Sequence, residues 1–249
     1  MLETALLFVA GLAGGLLNAV AGGGTFLTLP ALIYAGVPPV SANATAALTA
    51  LPGYISSAWG FRGDLRPEGR LGLRGTVAIA AAGSIAGALL LIVTPGETFL
   101  WVVPWLLLAS TALFAAGPHL MRLMRRQDGE TAGPGGSALV ILAVSVYGGY
   151  FNGGLGIMLL AAFGMIGYRS LHGMNGLKNM LSAVLSLTSA LAFVTAGLIA
   201  WEQALVMAAG AAAGGYAGAR LSRRIVRTDL LRHFVTATGA GMTLVFFLV

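Results

Sequence analysis

The chain has 249 residues, 57% of them hydrophobic and 9% charged, and its mean hydropathy is +0.88. Soluble domains carry about 25% charged residues, so this composition excludes a cytosolic enzyme, and a chain this apolar is not disordered. There is no cysteine, which removes disulfides, thiolate catalysis and cysteine metal sites, and the net charge of +6 reads as cytoplasmic loops facing anionic lipid rather than a nucleic-acid surface. What remains is an all-α polytopic membrane protein.

Uncharged runs set the spans, because a helix crossing lipid needs about 20 apolar residues. Residues 4–61 contain no acid, lysine or arginine and are interrupted at Gly22-Gly23-Gly24; they divide into segments 4–21, 25–36 and 42–61. Segments 73–93 and 98–118 follow. The run 131–168 divides around Gly153, Gly154 and Gly156 into 138–152 and 155–168, and segments 175–197, 202–220 and 232–249 complete the chain. Segments 25–36 and 155–168 are too short to cross a hydrocarbon layer of about 30 Å. They are parts of glycine-broken helices, discontinuous or re-entrant. Ala19-Val20-Ala21 has the form of a cleavage site, but no basic residue precedes the first apolar stretch, so this segment is expected to be retained.

Basic residues orient the segments. Arg62, Arg66, Arg70 and Arg74 form one group; Arg122, Arg125 and Arg126 a second; Arg169, His172 and Lys178 a third; Arg220, Arg223, Arg224, Arg227 and Arg232 a fourth. Loops 37–41, 94–98 and 197–201 have neither lysine nor arginine. Alternate crossings put all four basic groups on one side, the cytoplasm by the positive-inside rule, with both termini outside. The arginine-, alanine- and glycine-rich usage points to a prokaryote and its plasma (inner) membrane.

The two halves resemble each other. A shift of 134 residues places Gly14, Gly15, Asn18 and Gly22 on Gly148, Gly149, Asn152 and Gly156, and Gly63 and Glu68 on Gly197 and Glu202. Arg62 and Arg66 fall on Ala196 and Ala200, so a basic loop in one half is bare in the other. That exchange is what two inverted-topology repeats require, and such repeats with broken helices form transporter sites near the midplane. The organisation is then a first repeat over 1–97, a linking helix and cytoplasmic loop over 98–136, a second, inverted repeat over 137–221, and a C-terminal helix over 222–249.

Breaks inside lipid must face protein or a wet cavity, because unpaired backbone there costs several kcal/mol per group. A restarting helix also presents free N–H groups and a partial positive charge, an oxyanion site. Gly22, Gly23, Gly24 and Thr25, with Thr25 as cap and hydroxyl donor, are one such element, and Gly153, Gly154 and Gly156 the other. The alternative is that these glycines allow close helix packing. Asn18 and Asn152 precede the breaks and either bind substrate or bond across helices. Asn43, Thr45, Asn175 and Asn179 open the next helix of each half, as site residues or as helix caps together with Ser41. Lys178, the one lysine beside 13 arginines, either neutralises a substrate charge or snorkels to the interface. Gly83, Gly87, Gly210, Gly214 and Gly218 read as packing faces.

All eight acids lie at or beyond segment ends. That leaves no carboxylate for a metal or a proton relay within the bilayer and no hydrolytic constellation, so no cofactor, metal or enzymatic activity is expected.

The motifs GGLLNAVAGGGTFLTLPAL, ANATAAL, GGYFNGGLGIMLL and GMNGLKNMLSAV together resemble the sulfite exporter TauE/SafE family, also called the toluene sulfonate uptake permease family, over nearly the whole chain. The resemblance implies transport of sulfur-containing anions (sulfite, thiosulfate, sulfoacetate and other organosulfonates), often outward, and a basic residue where Lys178 stands. The expected partners are a small anion and the bilayer, with no nucleic acid; a homo-oligomer is compatible. Alternating access is the expected mechanism. The competing readings are a carrier of another organic anion, an anion channel, or a membrane scaffold.

Overall fold

The computed structural model describes residues 2–20, 22–64, 71–126, 133–168, 170–222 and 229–248. Arg66, Glu68, Arg70, Asp128, Glu130, Arg169, Arg223, Arg224 and Arg227 lie outside the described residues. Among those described there are ten α-helices and no strand: α1 Leu2–Val20, α2 Thr25–Tyr34, α3 Pro39–Gly60, α4 Leu73–Val93, α5 Gly96–Arg126, α6 Pro134–Tyr150, α7 Leu155–Met165, α8 Leu171–Thr195, α9 Trp201–Ser222 and α10 Asp229–Leu248. Each predicted segment corresponds to one helix, and both helix breaks are present.

Three boundaries differ for identifiable reasons. Helix α3 begins at Pro39, whose fixed φ suits the first turn, and α8 is capped by Ser170, whose Oγ accepts the Gly173 N–H at 3.1 Å. Asn43 and Asn175 are therefore each the fifth helical residue and neither is a cap. Helix α5 continues through Arg126, so Arg122, Arg125 and Arg126 belong to its last turns instead of a loop. At about 1.5 Å per residue it reaches about 46 Å, longer than the hydrocarbon layer, so its basic end projects past the lipid.

Four helical stretches, Leu2–Val20, Leu73–Val93, Gly96–Leu113 and Gly173–Thr195, are individually long and apolar enough to cross a membrane. Leu89, Leu90, Val93, Leu139, Leu205 and Leu244 point outward and are exposed. An apolar belt of this size suits lipid and would aggregate in water. Trp59, Trp101 and Trp201 are exposed near helix ends, where indoles anchor at the headgroup level.

Inside the bundle, backbones touch. A Cβ at Gly15 would strike the Ala211 carbonyl, one at Gly214 the Leu12 carbonyl, and one at Gly87 the Val146 carbonyl, so α1 lies directly on α9 and α4 on α6. Lipid offers no hydrophobic drive between helices, and close approach through small residues replaces it. The contacts repeat across the chain: α1 packs on α9 as α6 packs on α4, α3 on α9 as α8 on α4, and α2 touches α10 as α7 touches α5. Helices α5 and α10 pack on each other.

Two ends can be distinguished. At one, residues 35–38 and 197–200 line a shared cleft, and the Ala200 N–H donates to Thr45 Oγ1 at 3.0 Å. At the other, the 3₁₀ turn Arg62–Asp64 packs near α8 and the end of α9. Buried apolar side chains form two clusters: one holds Phe26, Leu29 and Leu32 of α2, the other Leu155, Leu159 and Phe163 of α7. Each short helix is seated in its own core.

Backbone contact makes opposite outcomes for one substitution. Gly75→Ala in α4 has open space around it and should stabilise by up to about 1 kcal/mol through helix propensity. Gly214→Ala should destabilise by about 1–3 kcal/mol through overpacking. Melting midpoints of the two variants in detergent, moving in opposite directions from wild type, check this.

Candidate functional site

Helix α1 stops because the chain turns left-handed at Gly22, where φ is +83°, a conformation glycine adopts without a Cβ penalty. The Gly22 N–H donates to the Leu17 carbonyl at 2.8 Å, which closes the helix end. The Gly24 N–H donates to Asn18 Oδ1 at 2.7 Å, so the Asn18 amide satisfies one exposed donor of the break. The N–H groups of Gly23 and Thr25 make no hydrogen bond among the described residues. Thr25 was expected to cap α2; instead Gly24 occupies that position without a side-chain cap, and the Thr25 hydroxyl donates to the Asn152 carbonyl at 3.3 Å in the other half.

The second break spans residues 151–154. Gly154, with φ +70°, opens α7, and the Tyr147 hydroxyl holds the Gly153 carbonyl at 2.6 Å. Asn43 Nδ2 donates to the Tyr150 carbonyl at 2.9 Å, at the C-terminal end of α6. The two breaks meet: a Cβ on Gly22 would lie 2.5 Å from Gly156 Cα, and a Cβ on Gly156 would lie 2.5 Å from Gly22 Cα. These two glycines are also partners under the 134-residue shift.

Lys178 crosses this junction. Its Nζ donates to the carbonyls of Asn18 at 3.2 Å and Ala19 at 3.4 Å, the negative end of α1. Its stem passes Gly156, whose added Cβ would lie 3.2 Å from Lys178 Cδ. The side chain is 0% exposed. A snorkelling anchor keeps its ammonium in water, and Lys178 does not. The acids whose side chains are described, Glu3, Glu97 and Glu202, are all exposed, so none is a buried counter-ion for it.

Around the junction lies a set of buried polar atoms without partners. Among the described residues, both amide atoms of Asn152 and of Asn179, Asn175 Oδ1, Asn43 Oδ1, Ser182 Oγ, Ser186 Oγ and the Tyr54 hydroxyl make no hydrogen bond. The Tyr54 hydroxyl lies beside the Asn152 and Ser182 side chains. Asn175, Asn179, Ser182 and Ser186 recur at intervals of four, three and four on α8, a single helix face. Buried polar atoms are normally satisfied, and a group of them left open in one place marks space for a polar guest or water. No cluster of three or more histidines and acids able to hold a metal occurs among the described residues.

The model of the family described as sulfite exporter TauE/SafE matches residues 7–246. The chain belongs to this family. A Haemophilus influenzae protein named probable membrane transporter protein is 31% identical over 96% of this chain and 92% of its own. The Escherichia coli protein named probable membrane transporter protein YfcA is 29% identical over 96% of this chain and 87% of its own. A Sinorhizobium protein named probable membrane transporter protein ORF9 is 28% identical over 87% and 82%. No solved structure matches the chain. The family and these names make the chain a membrane transporter.

In this TauE/SafE protein the junction gathers Asn18, Gly22, Gly23, Gly24, Thr25, Asn152, Gly153, Gly154, Gly156 and Lys178, with Asn43 buttressing α6. Asn175 and Asn179 join through the α8 face. Thr45 stands apart, its hydroxyl taken by the Ala200 N–H before α9. Sequence reasoning passed over Tyr54, Ser182 and Ser186. The spacing of small polar residues along an otherwise apolar α8 was the available signal.

Roles separate by stability. Asn18→Ala leaves the buried Gly24 N–H without its acceptor and should cost about 1–3 kcal/mol. Tyr54→Phe and Ser182→Ala remove hydroxyls that make no hydrogen bond among the described residues and should stay within about 0.5 kcal/mol of wild type. Thermal unfolding of the three variants in detergent, without added anions, measures the difference.

Proposed function

We propose that the junction is the binding site of a small sulfur-containing oxyanion (sulfite, thiosulfate or an organosulfonate such as sulfoacetate) which the protein carries across the plasma membrane, outward, by alternating access. The observation that carries this is a fully buried lysine with no carboxylate partner among the described residues, placed where two broken helices meet and next to open hydrogen-bonding groups. Such a charge in lipid is costly and calls for an anion.

The balance of helix ends supports the same sign. The negative ends of α1 and α6 are covered, by Lys178 and Asn43. The positive ends of α2 and α7 begin at Thr25 and Leu155 with no side-chain cap. The region is left with a net positive potential, suited to a charged oxygen. A sulfonate offers three acceptor oxygens, and the Tyr54 hydroxyl, the Asn152 and Asn179 amides and Ser182 supply neutral donors that replace part of its water. Family membership supports the sulfur-containing class.

Two inverted repeats of five helices account for the arrangement. Helix α2 is 10 residues and α7 11 residues long, about 15 and 16 Å. Each spans roughly half of the hydrocarbon layer, α2 toward the end lacking basic residues and α7 toward the other. An odd number of crossings per repeat inverts the second copy, and both termini then lie outside. Each short helix closes one side with its own apolar core. Opening one core while the other stays shut exposes the junction to one side at a time. Near-complete burial of Asn18, Thr25, Asn152 and Lys178 favours this carrier over a continuously wet channel. An inside-negative potential drives export by about 2.3 kcal/mol per charge per 100 mV.

Proteoliposome flux tests the site. Wild type should show saturable movement of sulfite, thiosulfate or sulfoacetate above taurine and lactate. Lys178→Met should lower it at least about tenfold, and Tyr54→Phe should raise KM with little change in melting midpoint. Unchanged flux in Lys178→Met removes the lysine from the site, and single-channel currents in place of saturable flux end the carrier reading. Orientation is checked with single cysteines in the cysteine-free chain: positions 96 and 200 should react with an impermeant thiol reagent from outside, and position 63 only after the membrane is opened.

A further inference from the structure

The end of the bundle that bears Arg62 holds a cavity of about 900 Å³, lined by Trp59, Gly60, Arg62 and Gly63 on one side and Tyr216, Ala219, Arg220 and Leu221 among others on the second. We propose that this cavity binds the phosphodiester headgroup of an acidic phospholipid. The site is separate from the junction, and its argument rests on the proposed membrane orientation, with this basic end toward the cytoplasm.

Both arginines are held in the same way. The Arg62 guanidinium lies 4.3 Å from the centroid of the Trp59 ring, and the Arg220 guanidinium 4.5 Å from that of Tyr216. Stacking fixes the plane of a guanidinium and leaves its N–H edge free, the edge that grips a phosphate with two parallel bonds. Two such forks lining one cavity form a clamp rather than a diffuse basic surface. No carboxylate stands among the described residues that line it, and both arginines are exposed. Gly60, Gly63 and Ala219 provide walls without bulk, leaving room for a headgroup.

The cavity continues into an apolar surface that a soluble phosphate would not use. Ile55, one turn before Trp59 on α3, is 55% exposed, and Leu205, Ala209 and Ala213 form an exposed strip on α9 leading to Tyr216. Trp59 and Tyr216 mark the headgroup level between the two, as aromatic side chains do at a membrane interface. Basic pockets on the cytoplasmic side of a helix bundle are a setting for acidic headgroups. Arg62 and Arg220 then hold the phosphate while acyl chains follow the Ile55 and Ala213 faces.

The test measures binding of a fluorescent phosphatidylglycerol to the purified full-length protein in detergent. Wild type should bind it at least about tenfold more tightly than the matching phosphatidylcholine, and Arg62→Gln/Arg220→Gln should lose about tenfold in affinity. Arg74→Gln, an exposed arginine outside the cavity, should bind as wild type. Glycerol phosphate, which lacks acyl chains, should fail to compete; competition at equal concentration would assign the site to soluble phosphate esters and overturn the lipid. Equal binding by wild type and the double variant also overturns it. If the double variant does not fold, a photoreactive phosphatidylglycerol on wild type decides: crosslinks at 59–63 and 216–221 support the site, and crosslinks confined elsewhere refute it.

Discussion

Backbone hydrogen bonding in a medium without water governs this molecule. Six of the described helices run without interruption, but α1 and α2, and α6 and α7, are separated by breaks inside the bundle, and each break frees carbonyls and N–H groups that lipid cannot serve. The solutions are unlike in kind. Asn18 turns its amide back on its own break, Asn43 and Thr25 reach into the opposite half, and Lys178 supplies an ammonium to the end of α1. Four of these five bonds run between halves, since Lys178 makes two, so neither break is complete without the other. This mutual dependence explains why the glycine blocks occur twice and why Gly22 and Gly156 can approach as closely as they do.

The same constraint separates polar from apolar groups. Apolar clusters hold α2 and α7, while polar atoms collect at the junction. Packing outside the junction is carried by small residues, since the bilayer gives no reward for burying a leucine. The α1–α9 and α4–α6 contacts are therefore nearly rigid, backbone on backbone, while the two short helices pack through side chains except where Gly156 of α7 meets Gly22. On the proposed reading, the rigid pairs form the frame and the short helices the parts that yield to the solute.

Much of this was legible in the sequence. Apolar run length, divided at the glycine clusters, located all ten described helices, because a full crossing of lipid needs about 20 residues and tolerates few charges. The breaks were legible because glycine clusters are costly in lipid unless they have a use. Boundaries were less so: Pro39 and Ser170 set helix starts locally, and the arginines at the end of α5 mimic a loop when only charge is counted. The role of Thr25 was hidden because its acceptor lies 127 residues away. Tyr54 escaped notice because its ring belongs to the core and only its hydroxyl to the junction.

Lys178 carries one further consequence. An ammonium has three protons, and two of them already reach the Asn18 and Ala19 carbonyls. The charge that would greet a solute is thus also the stitch that fastens the frayed tip of α1. A visitor drawing on that ammonium competes with the helix for its grip, so occupancy and the tension in the first break are read from a single nitrogen.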